Sequence, residues 1–191
     1  MKSTHPLYNE VRQQFEQLWK DKKGNVDLKM VEFCVKDAHD AVKLTDGSIV
    51  ILKKPSIQKD FCFGWYTFDE DSYDEATHNA RELGRDKEYF MNNNLSGLEE
   101  NIDRVKNSTD DMYLCDSYRP WMTLKHYVFL RFEEDLWMYH NPRKSANETE
   151  DRKLILAALE KIKVDFTKRL ETWWKKYGAD YIHTWTYCHD D

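Results

Sequence analysis

Carboxylate side chains are concentrated in one short segment near the middle of the sequence. Five acids fall within seven residues: Asp69, Glu70, Asp71, Asp74 and Glu75. Such a cluster can begin a helix, bind a divalent cation, or present negative charge to a basic partner. Asp69 and Asp71 have the spacing of the first ligands of a calcium loop, but the glycine and the closing glutamate of that loop are missing. A metal site is therefore the least favoured of the three interpretations.

Charge is separated along the whole chain. Residues 60–116 contain 15 acids and five bases, a local charge of -10. The other 134 residues contain 20 acids and 24 bases, so the net charge of -6 conceals two mildly basic flanks. Charge asymmetry bears on partners and association rates. We therefore expect the acidic cluster to contact a basic groove, with four more acids of the same segment as outer contributors: Glu82, Glu99, Glu100 and Asp103.

Histidines and cysteines offer a second kind of chemistry. His78 and Glu82 lie four residues apart, so one helix face would carry a histidine–carboxylate pair. The sequence contains no His-Glu-x-x-His motif, no nucleophile elbow, no glycine-rich phosphate loop and no Cys-x-x-Cys pair. We therefore predict no catalytic residue, no metal and no cofactor, and we favour a non-enzymatic binding protein.

Aromatic and basic residues adjoin near the C-terminus, at Trp173, Trp174, Lys175, Lys176 and Tyr177. Core packing, with lysines complementing the negative end of a helix, is the favoured interpretation. Rings stacking on bases, with lysines on phosphates, is the alternative. The corresponding alternative function is an enzyme that cuts or modifies guide RNA or DNA, and its candidate general bases are His78, His126 and His183.

Hydrophobic periodicity indicates the helices that would position these residues. Apolar residues at helical spacing predict a helix over 6–22. Capping boxes that begin at Ser72 and Ser96 predict two further helices, the second of them shorter. The longest helix is expected over about 148–177, with Asn147 as N-cap and Gly178 as its stop.

The strands follow from turn residues and alternation. Asp46-Gly47 between two β-branched runs predicts a hairpin whose return strand covers 49–52. Further extended segments are predicted at 26–36, 61–66, 127–132 and 181–187. The expected fold is α+β, an antiparallel sheet packed against a long C-terminal helix with smaller helices, in a single domain over 1–191.

Composition indicates a globular chain with ample core. Seven Trp, 11 Tyr and nine Phe among 191 residues argue against disorder, although 34% of the residues are charged. No apolar run approaches the roughly 20 residues of a membrane span, and the N-terminus lacks the apolar stretch of a secretory signal. We expect a cytoplasmic protein with reduced cysteines and no membrane contact.

Two segments add a resemblance. They read KPSIQKDFCFGW at 54–65, and KYG followed by WTY at 176–178 and 185–187. Both resemble small uncharacterised accessory proteins carried by phages and integrative elements of Gram-positive bacteria. The resemblance implies an accessory role in a bacterial host cell. Some acidic proteins of similar size from that setting are anti-CRISPR proteins, which block Cas nucleases, often with carboxylates that mimic phosphates.

By analogy with these proteins, the charge separation and the resemblance together lead to the hypothesis that the partner is a host defence nuclease. A Cas protein, Cas9 being one candidate, or its guide-RNA complex would be bound through the acidic surface. A structural or regulatory interaction module without a role in defence is a third hypothesis.

Overall fold

The computed structural model describes residues 1–38, 40–52, 55–57, 85–114, 121–131 and 143–187. Within these ranges the chain forms five helices and three strands: α1 Tyr8–Lys23, α2 Leu28–Asp37, β1 Asp40–Lys43, β2 Ile49–Leu52, α3 Arg85–Asn107, β3 Trp121–Thr123, α4 Leu124–Arg131 and α5 Glu148–Tyr187. The predicted α+β class, with an antiparallel sheet and a long C-terminal helix, is confirmed. The predicted strand at 61–66 and the helix start at Ser72 lie outside the described residues.

Helix α1 has the amphipathic character that its sequence predicts. Val11, Phe15 and Trp19 recur every four residues and are buried. Gly24 ends the helix in the left-handed region, with φ 73°, and donates its N–H to the Lys20 carbonyl at 2.8 Å. The predicted helix over 6–22 is therefore confirmed.

The segment predicted to be extended at 26–36 is instead helix α2. Asp27 is its N-cap, because the Asp27 carboxylate accepts the N–H groups of Lys29 and Met30 at 3.0 and 3.2 Å. Val31, Cys34 and Val35 are buried, which is the spacing of one helix face. A strand would have placed Phe33 and Val35 on the same face, but Phe33 is 49% exposed whereas Val35 is buried.

The sheet has the order β1-β2-β3, and both pairs are antiparallel. The hairpin between β1 and β2 is confirmed, and Gly47 takes the positive φ of 83° that its turn needs. All four residues of the central strand β2 are buried. The strand predicted at 127–132 is wrong: that sequence lies mostly in helix α4, where Tyr127 and Val128 turn inward together.

The chain divides into two compact units. Unit 1 comprises Met1–Lys54 and Asn101–Glu160, and unit 2 comprises Pro55–Glu100 and Lys161–Asp191. In unit 1, α1 packs against α2 and α4 over one face of the sheet, and the rings of Phe15 and Tyr127 lie 5.7 Å apart in this core. A single domain over 1–191 stays a prediction.

The first turn of α5 is tied to the sheet within unit 1. Asn147 accepts the Glu150 N–H at 3.3 Å, as its predicted N-cap role requires. The Asp151 carboxylate is fully buried and accepts the Thr45 N–H of the hairpin at 2.8 Å and the Ser145 hydroxyl. The bond to Thr45 anchors the long helix to the β1–β2 turn.

Two helices are longer than the sequence predicts. Ser96 does not begin a helix, since α3 runs through it and its hydroxyl donates to the Asn93 carbonyl at 3.1 Å. Helix α5 passes through Gly178 and ends at Tyr187. The predicted stop at Gly178 and the predicted strand over 181–187 are therefore wrong.

Candidate functional site

The nine acids predicted to bind a partner divide into two groups. Six of them lie outside the described residues: Asp69, Glu70, Asp71, Asp74, Glu75 and Glu82. The other three, Glu99, Glu100 and Asp103, lie on α3 and are all exposed. The exposure that the hypothesis requires therefore holds for the described acids. Their association with the five-acid cluster stays a prediction.

The burial pattern of α3 explains why these acids face outward. Leu98, Ile102 and Val105 recur at intervals of four and three residues and are at most 6% exposed. The acids occupy the positions between them, so the helical repeat turns the carboxylates away from the buried face. Asn94, which is also buried, donates its amide to the backbone carbonyl of Phe90 at 2.9 Å.

The three carboxylates differ in how far their charge is compensated. In unit 2, Glu99 forms an ion pair with Lys163 at 2.8 Å, with the glutamate side chain 47% exposed. An exposed pair of this kind contributes at most about 1 kcal/mol. Glu100, also in unit 2, and Asp103, in unit 1, form no ion pair with any described residue. Their negative charge is therefore available to a partner.

The acidic character does not extend to the end of α3. Arg104 and Lys106 follow in its last turn, and both are exposed. Cations there complement the negative end of the helix. In unit 1, Asp103 therefore stands at the boundary between acidic and basic positions.

An aromatic cluster forms within unit 2 from Phe90, Trp173, Trp174 and Tyr177. The ring of Phe90 stacks on Trp173 with centroids 4.8 Å apart and contacts Trp174 at 5.3 Å. Trp173 in turn contacts Tyr177 at 5.4 Å. The two indoles are half-buried and both contact Phe90, whereas Tyr177, which is expected from the sequence on the same core stripe as Trp173, is 40% exposed.

Lys175 and Lys176 do not lie at a helix end, so the prediction that they complement the helix dipole is wrong. Helix α5 continues to Tyr187, and the dipole effect is confined to the last turn. The Lys176 ammonium instead lies 4.8 Å from the Tyr177 ring centroid. Hydrogen bonding with Tyr177 raises the pKa of Lys176 above its ordinary value.

Sequence reasoning missed other exposed bases of α5. Lys161, Lys168 and Arg169 are all exposed in unit 2. The signal that could have found them is the seven-residue spacing that places Lys161, Lys168 and Lys175 on one face of a helix.

The histidines give weak support to catalysis. His126 lies on α4 and is 4% exposed, whereas a general base must reach the proton it removes. His183 lies within the bounds of α5 rather than on a strand, and His78 lies outside the described residues. Among the described residues, no three side chains of His, Cys, Asp or Glu come together to hold a metal ion.

Comparison with known proteins identifies no relative. No protein-family model matches the chain, and neither the curated proteins nor the solved structures contain a match. In the described part of the chain, no helix has the length and apolar character needed to cross a membrane.

Proposed function

We propose that the protein is an accessory protein of a phage or another mobile element, and that it inhibits a host defence nuclease by binding. The acidic segment would occupy a basic groove that otherwise receives nucleic acid. A Cas protein, with Cas9 as the first candidate, or its guide-RNA complex is the proposed partner. One observation carries the proposal: residues 60–116 hold 15 acids against five bases.

The described acids support the proposal through their exposure and charge. Glu100 and Asp103 project from the surface of a helix and form no ion pair with described residues. Carboxylates held in this way can replace phosphates opposite Lys and Arg, and a channel for an RNA–DNA heteroduplex is positively charged. Because exposed charges are screened over about 8 to 10 Å at physiological salt, binding should weaken as salt rises.

DNA cleavage by a purified Cas9–guide-RNA complex tests the proposal. Inhibition of cleavage should increase with the amount of added protein and become complete near one molecule of protein per Cas9–guide-RNA complex. The triple variant D69K/D71K/D74K should lose inhibition, because the proposed contacts become repulsive. Unchanged inhibition by a folded triple variant would refute the proposal that the acidic surface makes the inhibitory contact.

A matched pair of single variants distinguishes an effect of the local acidic surface from an effect of the protein's net charge. Glu100 and Glu160 are both exposed helical glutamates without an ion pair to a described residue, but only Glu100 belongs to the acidic segment. Glu100→Lys should weaken binding about two- to fivefold, the effect of one exposed charge pair. Glu160→Lys should bind normally. Equal losses would assign the effect to net charge and contradict the proposal.

The enzymatic alternative makes a different prediction in the same assay. If the protein processes nucleic acid, guide RNA incubated with it should shorten at substoichiometric amounts, and a chelator should show whether metal is needed. Intact RNA with stoichiometric inhibition supports binding. Because His126, one of the three candidate general bases, is buried, we expect intact RNA and stoichiometric inhibition.

A further inference from the structure

The exposed face of α5 in unit 2 carries five cations in two rows. Successive residues of a helix are rotated by about 100° and rise by about 1.5 Å. Seven-residue spacing therefore puts one row of three along about 21 Å of the helix, with the second row of two about 100° around it. The first row is Lys161, Lys168 and Lys175, and the second is Arg169 and Lys176.

The cations of the two rows have no carboxylate partner among the described residues. Two other lysines of unit 2 show the contrast, since Lys163 pairs with Glu99 and Lys87 pairs with Glu171, each at 2.8 Å. The positions between the rows are Asp165 and Thr172, both exposed. The two rows and the positions between them thus contain five cations and one acid, Asp165, so this face is strongly positive.

Aromatic rings support the second row. The Arg169 guanidinium lies 5.6 Å from the Phe166 ring centroid, and the Lys176 ammonium lies 4.8 Å from that of Tyr177. Phe166 is buried, so it offers a fixed surface to the arginine. Such contacts limit the directions that a cation samples and lower the entropy lost when it binds an anion.

We propose that this face of α5 binds in the major groove of double-stranded DNA, with each row of cations contacting the phosphates of one strand. The groove is about 12 Å wide and admits an α-helix. Two rows separated by about 100° point toward the two walls of such a groove, and Thr172 and Asp165 then face its floor. The inference goes beyond the proposed function, because it uses another element and the opposite charge.

Other nucleic acids fit this surface less well. The major groove of A-form RNA is too narrow for side chains to read. Single strands are bound by aromatic platforms beside a basic groove, whereas the rings of Trp173 and Trp174 are both packed on that of Phe90. The net charge of -6 does not prevent binding, because acids farther away than about 8 to 10 Å are screened at physiological salt.

Fluorescence anisotropy with a short labelled DNA duplex tests the proposal on the full chain. Five phosphate contacts should make the logarithm of affinity fall with the logarithm of salt concentration at a slope of about -4.5. Affinity should then drop about 500-fold between about 50 and about 200 mM salt. Single-stranded DNA, double-stranded RNA and a poly-glutamate competitor form the comparison arms.

Two double variants with the same change of charge give the decisive comparison. K168Q/K175Q removes two contacts, so the slope should fall to about -2.7. K20Q/K29Q removes two exposed lysines of α1 and α2 and should leave the slope unchanged. Glutamine and lysine have similar helix propensities, so both variants should keep the wild-type circular dichroism.

Several outcomes would overturn the proposal. These are absence of duplex binding at low salt, an equal slope in both double variants, and tighter binding of single-stranded DNA or double-stranded RNA. Displacement of the duplex by poly-glutamate at equal charge concentration would also overturn it, because the face would then recognise polyanions in general, acidic proteins included.

Discussion

Gly178 lies inside α5 at a place where the indole of Trp174 fills the space of a side chain. A Cβ at position 178 would lie 2.7 Å from Cε2 and 2.9 Å from Cδ2 of Trp174. Carbon atoms attract best at about 3.5–4.0 Å, so an alanine here forces the indole to move. The centroid of the indole also lies 5.3 Å from that of the Phe90 ring, so moving the indole would weaken this aromatic contact.

Two opposing effects determine the stability of Gly178→Ala. Alanine in a helix interior is favoured over glycine by about 0.5–1 kcal/mol. Overpacking a filled site costs about 1–3 kcal/mol. We expect the overlap to dominate, so that the variant is less stable by about 0.5–2 kcal/mol. In a Trp174→Ala background the overlap disappears, and the same substitution should stabilise by about 0.5–1 kcal/mol.

Urea unfolding followed by far-UV circular dichroism measures this coupling in four proteins: wild type, the two single variants and the double variant. Gly97→Ala is the matched control, since Gly97 lies in α3 and a Cβ added there would meet nothing within 4 Å. It should stabilise by about 0.5–1 kcal/mol. Equal effects of Gly178→Ala with and without the indole would refute the reasoning.

Two further expectations concern local hydrogen bonds. Asp27→Ala should lower the free energy of unfolding by about 1 kcal/mol, because it removes the N-cap of α2. Asp27→Asn should change this free energy little, because asparagine caps a helix as well as aspartate does. Equal losses for the two variants in urea denaturation would contradict a capping role. Hydrogen bonds from Ser48, followed by the Arg143 charge, hold the pKa of Asp46 below its ordinary value. The charged carboxylate therefore contributes its full stabilisation above the ordinary pKa of an aspartate, about 3.9. Its advantage over Asp46→Asn should be constant from about pH 7 down to that value and should shrink as the pH falls further. An unfolding free-energy difference that stays constant down to about pH 2 would exclude the linkage.

The parts of the fold that the sequence predicts are those with a local cause. Gly47 allows the positive φ of the hairpin, and the four-residue spacing of Val11, Phe15 and Trp19 gives α1 one apolar stripe. The start of α5 follows from Asn147, whose side chain accepts a backbone N–H of the first turn. Each signal lies within a few residues and does not depend on distant contacts.

Helices α2 and α4 could not be recognised in this way. The alternation of Phe33 and Val35 favours a strand in the first, and the run Tyr127-Val128-Phe129 favours one in the second, because β-branched and aromatic residues favour strands in isolation. In α2 the burial of Val31, Cys34 and Val35 against α1 outweighs that preference, and in α4 Tyr127 and Val128 are buried in the same core. Short apolar runs suit either a strand or a buried helix, and the neighbouring elements decide between them.

The candidate sites divide in the same manner. The excess of acids over 60–116 and the seven-residue spacing of Lys161, Lys168 and Lys175 are properties of the sequence itself. The pairing of Glu99 with Lys163 and the exposure of Glu100 are decided by the packing of α3. Likewise, Gly178 ends no helix, since α5 continues past it to Tyr187, and the Trp174 indole lies where a Cβ would be. Composition and local spacing determine charge and amphipathicity, but only tertiary packing decides which side chains are buried, which charges are neutralised and where a helix ends.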